Sequence, residues 1–386
     1  MDPKWPSATC DACECWELSL VSPAVEKRRY PGGNSLCTRG SAFSILKYSM
    51  MKDGQHLMDK TQLYPLRFEP IYQYRLWGGR RLASLLSASL PGDGPIGEAW
   101  VLSDRTDYQS LVANGPLKGQ TLGQVMEQFR EKLMGKLSSR FRRFPLLLKF
   151  LDAHEMLSVQ VHPSDDPSEL IPAGDAAKTE AWVVIEAEKG SQVYAGLRSG
   201  TTPGILRESL DGGTVADHLV CIAPKPGDAI FIPGGTVHTL GDDVVVFEVQ
   251  QNSDTTFRLY DWGHIDPETK EPRPLQVDQA LACIEFGECN SGLVAPRVET
   301  TAPVEREKLF DCHAFQLWRV LGQDQFTIGA AAEPRVLVAI EGSGQIIHDG
   351  TPYAVGKGDV WLLPAEAGEC ALQPSGQVTM LEIAIP

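Results

Sequence analysis

Two similar segments constrain the fold of this chain more than any other sequence feature. Gly227-Asp-Ala-Ile-Phe-Ile-Pro233 is repeated in the C-terminal third as Gly358-Asp-Val-Trp-Leu-Leu-Pro364. Each segment combines a glycine turn with a short apolar strand. An internal repeat of this kind predicts two similarly built units in one chain.

The pattern from Tyr64 onward is that of a β protein. Short runs such as Ala99-Trp-Val-Leu-Ser103 alternate with glycine and proline. Many short strands with glycine-rich turns are typical of an antiparallel barrel or sandwich. The predicted fold class is therefore mainly β, with two antiparallel barrels.

A helical insertion interrupts this pattern over residues 117–142. Apolar residues recur there every three or four positions, which is the stripe of an amphipathic helix. Thr121 precedes the stripe as an N-cap candidate, and Gly135 is a candidate break between two helices. Further helices are predicted over 202–219 and 275–284. The stripe consists of Leu122, Val125, Met126, Phe129, Leu133, Leu137 and Phe141.

The first 57 residues have no sustained periodicity. Their cysteines, Cys10, Cys13, Cys15 and Cys37, lack the second properly spaced pair that a zinc knot requires. The nine cysteines of the chain are an odd number without a disulfide-like framework. We expect residues 1–57 to be a disordered N-terminal extension rather than a small metal-binding module.

Composition excludes several classes of partner. The 386 residues carry a net charge of −15, so the surface as a whole should repel nucleic acid and anionic membranes. No apolar run approaches the 18 residues of a transmembrane helix, and the N-terminus lacks the apolar stretch of a signal peptide. The expected location is the cytoplasm.

Four separated side chains form a candidate metal site. Gln160 and His162 alternate on a predicted strand, so they point to the same face, while Val159 and Val161 face a core. Downstream come Glu180 and then His238, which follows a predicted strand and a tight turn. Two imidazoles, one carboxylate and one amide oxygen suit zinc, manganese or iron.

These residues stand in motifs that carry a family resemblance. The segment Gly227-x5-Pro233-x-Gly235-x2-His238 is similar to the second motif of the cupin superfamily, and Gln160-Val-His162 occupies the place of the first. With Lys178-Thr-Glu180-Ala-Trp182 and Ser253-Asp-Thr-Thr-Phe-Arg258-Leu-Tyr-Asp-Trp262, residues 64–386 resemble type I phosphomannose isomerases, in their short bacterial form.

The resemblance implies an architecture and an activity. Residues 58–290 would form the metal-binding cupin domain, including the insertion, and 304–386 a second cupin-like barrel without metal, after a linker near 290–303. One Zn²⁺ per chain would bind Gln160, His162, Glu180 and His238. The reaction would interconvert mannose 6-phosphate and fructose 6-phosphate through a cis-enediol(ate), in a monomer or a dimer.

Two basic residues are candidates for catalysis. Lys178 lies two residues before Glu180 and shares its strand face, and a buried ammonium beside a cation gives up its proton more readily, as a general base requires. Zinc-bound hydroxide or Glu248 are the competing bases. Arg258 offers a planar fork for phosphate or an enediolate oxygen, and Asp261 could hold its guanidinium.

Three further residues are candidates for binding the substrate. Lys149 interrupts an apolar strand, where an unpaired charge is costly, so it must snorkel, pair with a carboxylate or face a cavity. Ser158 shares the strand face of Gln160 and His162. Glu248 could orient a lysine or a sugar hydroxyl, or form an ordinary ion pair.

Three other functions remain open at the level of sequence. A metal-dependent isomerase of free mannose would follow if the basic residues did not converge on an anion site. A non-catalytic sugar-binding cupin would follow if a metal ligand were misplaced. An iron or manganese oxidoreductase is the third, because cupins carry many chemistries on one fold.

Overall fold

The chain folds mainly into short antiparallel strands, as the glycine-punctuated pattern predicts. The computed structural model describes residues 62–165, 168–266, 269–287 and 291–386. The prediction for residues 1–57 lies outside them. The strands are β1 Leu66–Arg67, β2 Ile71–Gly79, β3 Ile96–Leu102, β4 Leu146–Ala153, β5 Val159–Val161, β6 Glu180–Ala187, β7 Val193–Leu197, β8 Leu219–Ile222, β9 Ala229–Ile232, β10 His238–Thr239, β11 Val244–Gln251, β12 Phe257–Tyr260, β13 Gly292–Leu293, β14 Arg297–Thr300, β15 Glu305–Asp311, β16 Gln316–Gly322, β17 Phe326–Ile328, β18 Arg335–Glu341, β19 Ser343–His348, β20 Thr351–Gly356, β21 Val360–Leu363, β22 Cys370–Pro374 and β23 Val378–Ala384.

Helices are few in the described residues: three of them lie at or near predicted positions, whereas the short helix at Leu82–Leu85 was not predicted. The α-helices of the described residues are α1 Leu82–Leu85, α2 Leu122–Met134, α3 Pro203–Gly212 and α4 Val277–Cys283. Short 3₁₀ turns occupy Gly135–Leu137, Ser168–Leu170 and Val215–His218. No helix in the described ranges is long and apolar enough to cross a membrane.

The strands form two pairs of antiparallel sheets. In the first pair, a seven-stranded sheet in the order β13-β9-β6-β11-β4-β2-β3 packs on a five-stranded sheet in the order β12-β5-β10-β7-β8. Buried apolar side chains such as Leu151, Trp182 and Val193 fill the space between these sheets. Helices α3 and α4 cover the outer face of the five-stranded sheet, against Val159 and Val161. The two valines therefore face a core, as predicted.

The second pair is built in the same way. A seven-stranded sheet, β1-β21-β18-β23-β16-β15-β14, packs on the four-stranded sheet β17-β22-β19-β20, around an apolar cluster that includes Leu337, Ile346 and Met380. The two seven-stranded sheets share a larger core with α2. Paired sheets of this kind confirm the mainly β, jelly-roll prediction, although within the described residues the strands do not close into a continuous barrel.

The second sheet pair recruits strands from outside residues 304–386. Strand β1 pairs with β21, with Leu66 opposite Leu362. The predicted linker near 290–303 also contains strands, because β13 pairs with β9 and β14 with β15. The proposed domain boundaries remain a prediction. The chain links the two sheet pairs where β1 leads into β2 and where β13 leads into β14.

The internal repeat is visible in the hydrogen bonds. Gly227 and Gly358 both have positive φ, 90° and 85°, a conformation that glycine adopts without a steric penalty. The Gly227 amide donates to the Val184 carbonyl and the Gly358 amide to the Ala339 carbonyl, each at 2.8 Å. The two turns thus dock on equivalent strands, β6 and β18.

The insertion helix α2 is defined at both ends by local chemistry. The Thr121 hydroxyl accepts from the Gln124 amide at 3.1 Å, and the Gln124 side chain accepts from the Thr121 amide at 2.9 Å, which is a capping box. Gly135 ends the helix with a φ of 52°. The predicted cap and break are both confirmed.

Candidate metal centre and active site

Three adjacent strands of the five-stranded sheet, β12, β5 and β10, bring separate motifs side by side. Strand β5 lies between β12 and β10, and its central residue Gln160 is directly opposite Arg258 on one side and His238 on the other. His162 follows β5 directly and, by strand alternation, shares the face of Gln160. Register alone therefore places these four side chains in one small area of the sheet.

Glu180 reaches the same point from the facing sheet, at the start of β6. Its Oε2 lies 3.3 Å from Nε2 of His162 and its Oε1 lies 3.4 Å from Nε2 of His238. Nε2 of Gln160 lies 3.3 Å from Nε2 of His238. The structure thus brings all four predicted metal ligands together, and the two histidines and the glutamate are at most 1% exposed.

Hydrogen bonds to backbone carbonyls determine the tautomer of both histidines. Nδ1 of His162 lies 3.0 Å from the Thr255 carbonyl oxygen, and Nδ1 of His238 lies 2.8 Å from that of Thr236. A carbonyl oxygen only accepts, so each Nδ1 carries the proton and each Nε2 presents a lone pair. Burial lowers the pKa of His162 to about 3 and also lowers the pKa of His238, so both rings are neutral.

The centre of the cluster is therefore surrounded by acceptors. Two imidazole lone pairs face the two oxygens of Glu180, whose pKa is held well below its usual range by Lys178 against the opposing effect of burial. Oε2 of Glu180 makes no hydrogen bond of standard geometry within the described part of the chain. Buried acceptors that face one another are destabilising unless a cation or a proton donor lies between them. The donor set fits a metal ion such as zinc.

Lys178 is the nearest cation. Its Nζ lies 3.0 Å from Nε2 of His162 and 3.2 Å from Oε2 of Glu180, and the residue is buried. Its backbone amide donates to the Pro163 carbonyl at 3.0 Å, which holds the segment before β6 against the end of β5. Lys178 thus contacts two of the four predicted ligands directly.

A cavity of about 310 Å³ opens beside this cluster. All of the predicted catalytic and substrate-binding residues lie in its wall. It is lined by Arg75, Trp77, Glu98, Lys149, Leu151, Leu157, Ser158, Gln160, Lys178, Glu248, Asp254, Thr256, Arg258 and Arg273. The cavity is polar, and its charged side chains come from both sheets of the first pair.

Lys149 is paired and also faces the cavity. Its Nζ lies 3.3 Å from Oε1 of Glu248 and 5.0 Å from the centre of the Trp100 ring. Burial opposes its charge, but Glu248 and Glu98 outweigh burial and raise the pKa of Lys149. Glu248 also accepts from Nε1 of Trp182 at 2.9 Å. Burial nevertheless raises the pKa of Glu248.

Arg258 is held differently from the expectation. Asp261 does not pin Arg258, because Arg273 takes the carboxylate with both Nε and Nη2. Arg258 instead donates from Nη1 to the Pro274 carbonyl at 2.9 Å. Burial, and then the charge of Arg273, lower the pKa of Arg258. Two guanidinium groups with one carboxylate leave an excess positive charge at this side of the cavity.

Several cavity residues escaped the sequence prediction. Arg75 lies in β2 and Glu98 in β3, in segments for which the sequence pattern predicted no functional role. Glu98 accepts from Nε and Nη2 of Arg75 at 3.0 and 3.1 Å and from Nε1 of Trp100 at 2.6 Å. Asp254 belongs to the same sequence motif as Arg258. Its position in that motif could have identified it as a candidate cavity residue.

Fold and site together define a cupin-like protein with a candidate metal centre in a polar cavity. Residues 66–190 match the family model "Phosphomannose isomerase type I, catalytic domain". The chain is 35% identical over 320 residues to mannose-6-phosphate isomerase ManA of Bacillus subtilis, covering 80% of this chain and 96% of the relative. It is 34% identical over 306 residues to mannose-6-phosphate isomerase of Streptococcus mutans, covering 78% and 92%.

The same relationship extends to three dimensions. The crystal structure of mannose 6-phosphate isomerase from Bacillus subtilis superposes with a TM-score of 0.76 at 28% identity, covering 84% of this chain and 100% of the other. The chain belongs to the type I phosphomannose isomerase family. This membership confirms the predicted resemblance and the prediction of an isomerase enzyme.

Proposed function

We propose that this protein interconverts mannose 6-phosphate and fructose 6-phosphate with one zinc ion per chain. The observation that supports the proposal is the set of acceptors around Glu180: two imidazole lone pairs and a carboxylate converge on one point, beside a cavity with excess positive charge. The names of the Bacillus and Streptococcus relatives support the choice of substrate.

The zinc ligands in this proposal are Gln160, His162, Glu180 and His238. The Gln160 amide presents its oxygen to the ion when it is turned by 180° about its last side-chain torsion, since O and N positions of an amide are interchangeable in shape. Bound zinc would act as a Lewis acid toward a substrate oxygen. Backbone carbonyls keep both imidazoles in the tautomer that coordination requires.

Lys178 is the proposed general base. Aldose–ketose isomerisation moves a proton between C2 and C1 of the sugar through a cis-enediol(ate). Lys178 lies where the cavity meets the ligand cluster, so its amine can take the proton from C2 and return it to C1 on one face. Glu248, fixed by Trp182 and Lys149, is positioned to accept a hydrogen bond from a sugar hydroxyl.

Arg258 is proposed to bind the anionic groups of the substrate. Its guanidinium lies in the cavity wall beside Arg273, and its Nε makes no hydrogen bond within the described residues. A planar fork suits a phosphate or an enediolate oxygen. Lys149 and Ser158 complete the proposed sugar-binding wall, with Lys149 neutralised mainly by Glu248.

The proposal predicts that chelation of the metal abolishes turnover of mannose 6-phosphate and that zinc restores it. The measurement is a coupled isomerase assay on purified protein, with metal content determined before and after chelation. Turnover that survived complete metal removal would contradict the zinc proposal. Comparable kcat/KM values for mannose and mannose 6-phosphate would favour the isomerase of free mannose instead.

A single substitution tests the ligand set. His238→Ala should lose both bound zinc and turnover, because it removes a ligand from the buried centre. The matched control is His154→Ala, since His154 is an exposed histidine outside the cavity wall. A His238→Ala protein that kept its zinc and its activity would show that the ligand assignment is wrong.

A further inference from the structure

Asp175 joins three separate segments beside the candidate metal centre. Its Oδ1 accepts from Nη1 of Arg105 at 2.9 Å and from the Ala176 amide at 3.0 Å. Its Oδ2 accepts from the Thr255 hydroxyl at 2.7 Å and from the Asp254 amide at 3.4 Å. This one carboxylate therefore ties the exit of β3, the segment before Lys178 and the loop after β11 together.

Arg105 strengthens this junction. Its Nη1 donates to the Asn252 carbonyl at 3.0 Å as well as to Asp175, so the guanidinium connects Asp175 to the start of the loop after β11. The Asp175 side chain is 12% exposed. Burial opposes its charge, but hydrogen bonds from Arg105 and Thr255 outweigh burial and lower the pKa of Asp175, so it is ionised at neutral pH.

The connection to the metal centre runs through Thr255. Its hydroxyl donates to Asp175, while its backbone carbonyl accepts from Nδ1 of His162 at 3.0 Å. Thr255 is buried, with 8% of its surface exposed. One residue therefore contacts both Asp175 and His162, and the Thr256 hydroxyl also lies 3.3 Å from Nδ1 of His162.

We propose that Asp175 is a positioning residue for the metal centre. It holds Thr255 so that the Thr255 carbonyl keeps Nδ1 of His162 protonated and directs the Nε2 lone pair at the other ligands. The inference rests on the proposed function, because it assumes that His162 binds the metal. Outer partners of this kind typically change metal affinity by about 10–100-fold.

The test is the zinc affinity of metal-depleted protein, measured by competition with a chelator of known affinity. Asp175→Ala should bind zinc about 10–100-fold more weakly than the wild type. Thr255→Val removes only the hydroxyl and should shift the affinity in the same direction. Asp175→Asn keeps an acceptor for that hydroxyl and should recover part of the loss. Unfolding of the metal-free proteins is measured in parallel.

The control is a comparable ion pair in the second sheet pair. Glu307 accepts from Nε and Nη2 of Arg319 at 2.8 and 2.6 Å, and the carboxylate side chain is 13% exposed. Glu307→Ala should lower stability as Asp175→Ala does but leave zinc affinity unchanged. This separates a loss of positioning from a general loss of stability.

The possible outcomes distinguish the inference from the proposed function. If the wild type binds zinc and turns over substrate while Asp175→Ala and Thr255→Val bind zinc equally tightly, Asp175 is only structural and the inference is wrong. If Asp175→Ala does not fold, Thr255→Val alone decides by the same criterion. If the wild type itself neither binds zinc nor isomerises mannose 6-phosphate, the proposed function fails first.

Discussion

Single residues in this site keep their charge because of the partners that the fold places beside them. Glu98 is the clearest example. It is buried, which opposes ionisation, yet Lys149 and Arg75 outweigh burial and lower its pKa to about 2. Lys149 in turn stays charged because Glu248 and Glu98 flank it. The cavity wall is thus a chain of mutually stabilised charges rather than a set of independent groups.

This reasoning predicts the acid sensitivity of one carboxylate. The pKa of Glu98 is about 2 in the folded protein and 4.5 ordinarily, so its ionisation stabilises the fold above pH 4.5 and this contribution is lost as the pH falls toward 2. Glu98→Gln should lower the free energy of unfolding at pH 7 by about 1–3 kcal/mol and show a smaller further loss on acidification. Urea unfolding at pH 7 and pH 3 measures both.

The control for Glu98 is an exposed carboxylate. Glu69 is exposed, so Glu69→Gln should change neither the stability at pH 7 nor its loss at pH 3. Equal acid sensitivity of Glu98→Gln and the wild type would contradict the assigned charge of Glu98.

At the scale of elements, the two copies of the repeat lead to different contacts. In the first copy the chain after Pro233 leads to His238 in the ligand cluster. In the second copy the chain after Pro364 caps helix α2: the Ala365 and Glu366 amides donate to its last-turn carbonyls at 2.9 and 2.8 Å. The same turn therefore presents a ligand in one unit and an inter-element contact in the other.

The end of α2 gives a prediction at this scale. Gly135 has a φ of 52°, and a Cβ there would lie 2.2 Å from the Ala332 carbonyl oxygen. Gly135→Ala should therefore lower the free energy of unfolding by more than the roughly 1 kcal/mol expected from backbone strain alone. Thermal unfolding of the variant measures the effect.

Gly119 provides the matched control. It also has positive φ, 85°, but a Cβ there meets no atom within 4 Å. Gly119→Ala should show only the cost of backbone strain. Similar losses for the two variants would mean that contact with the second sheet pair does not constrain the end of α2.

At the scale of the whole molecule, the N-terminal strand joins the two sheet pairs. Leu66 in β1 pairs with Leu362 in the second seven-stranded sheet, and the Leu63 amide donates to Oε2 of Glu366 at 2.8 Å. The chain then continues into β2 of the first pair. The second sheet pair therefore depends on residues that precede the first one in sequence.

Two truncations test this dependence. A chain that starts at residue 60 should retain isomerase activity and stability, because β1 and its contacts are kept. A chain that starts at residue 70 should have a lower unfolding temperature, because β21 loses a hydrogen-bonded neighbour and Leu66 leaves the core. Isomerase assays and calorimetry on both proteins check the prediction. A large loss of activity in the chain that starts at residue 60 would show that residues 1–59 contribute to function.

The sequence by itself determined features that depend on short-range pattern. Strand alternation put Gln160 and His162 on one face, Thr121 marked the start of α2, and the glycine turns marked the two copies of the repeat. These follow from backbone geometry over a few residues, which neighbouring side chains encode directly. Family motifs added the substrate and the ligand set as expectations.

Only the tertiary structure decided which distant groups meet. Glu180 reaches the two histidines from the facing sheet. Asp261 pairs with Arg273 rather than with Arg258. Asp175 is connected to His162 through Thr255. Such pairings depend on sheet packing and on competition between charged groups that lie far apart in the chain. Local sequence pattern does not predict which charged groups pair, because the free energy of a buried charge depends on all of its neighbours in the folded protein.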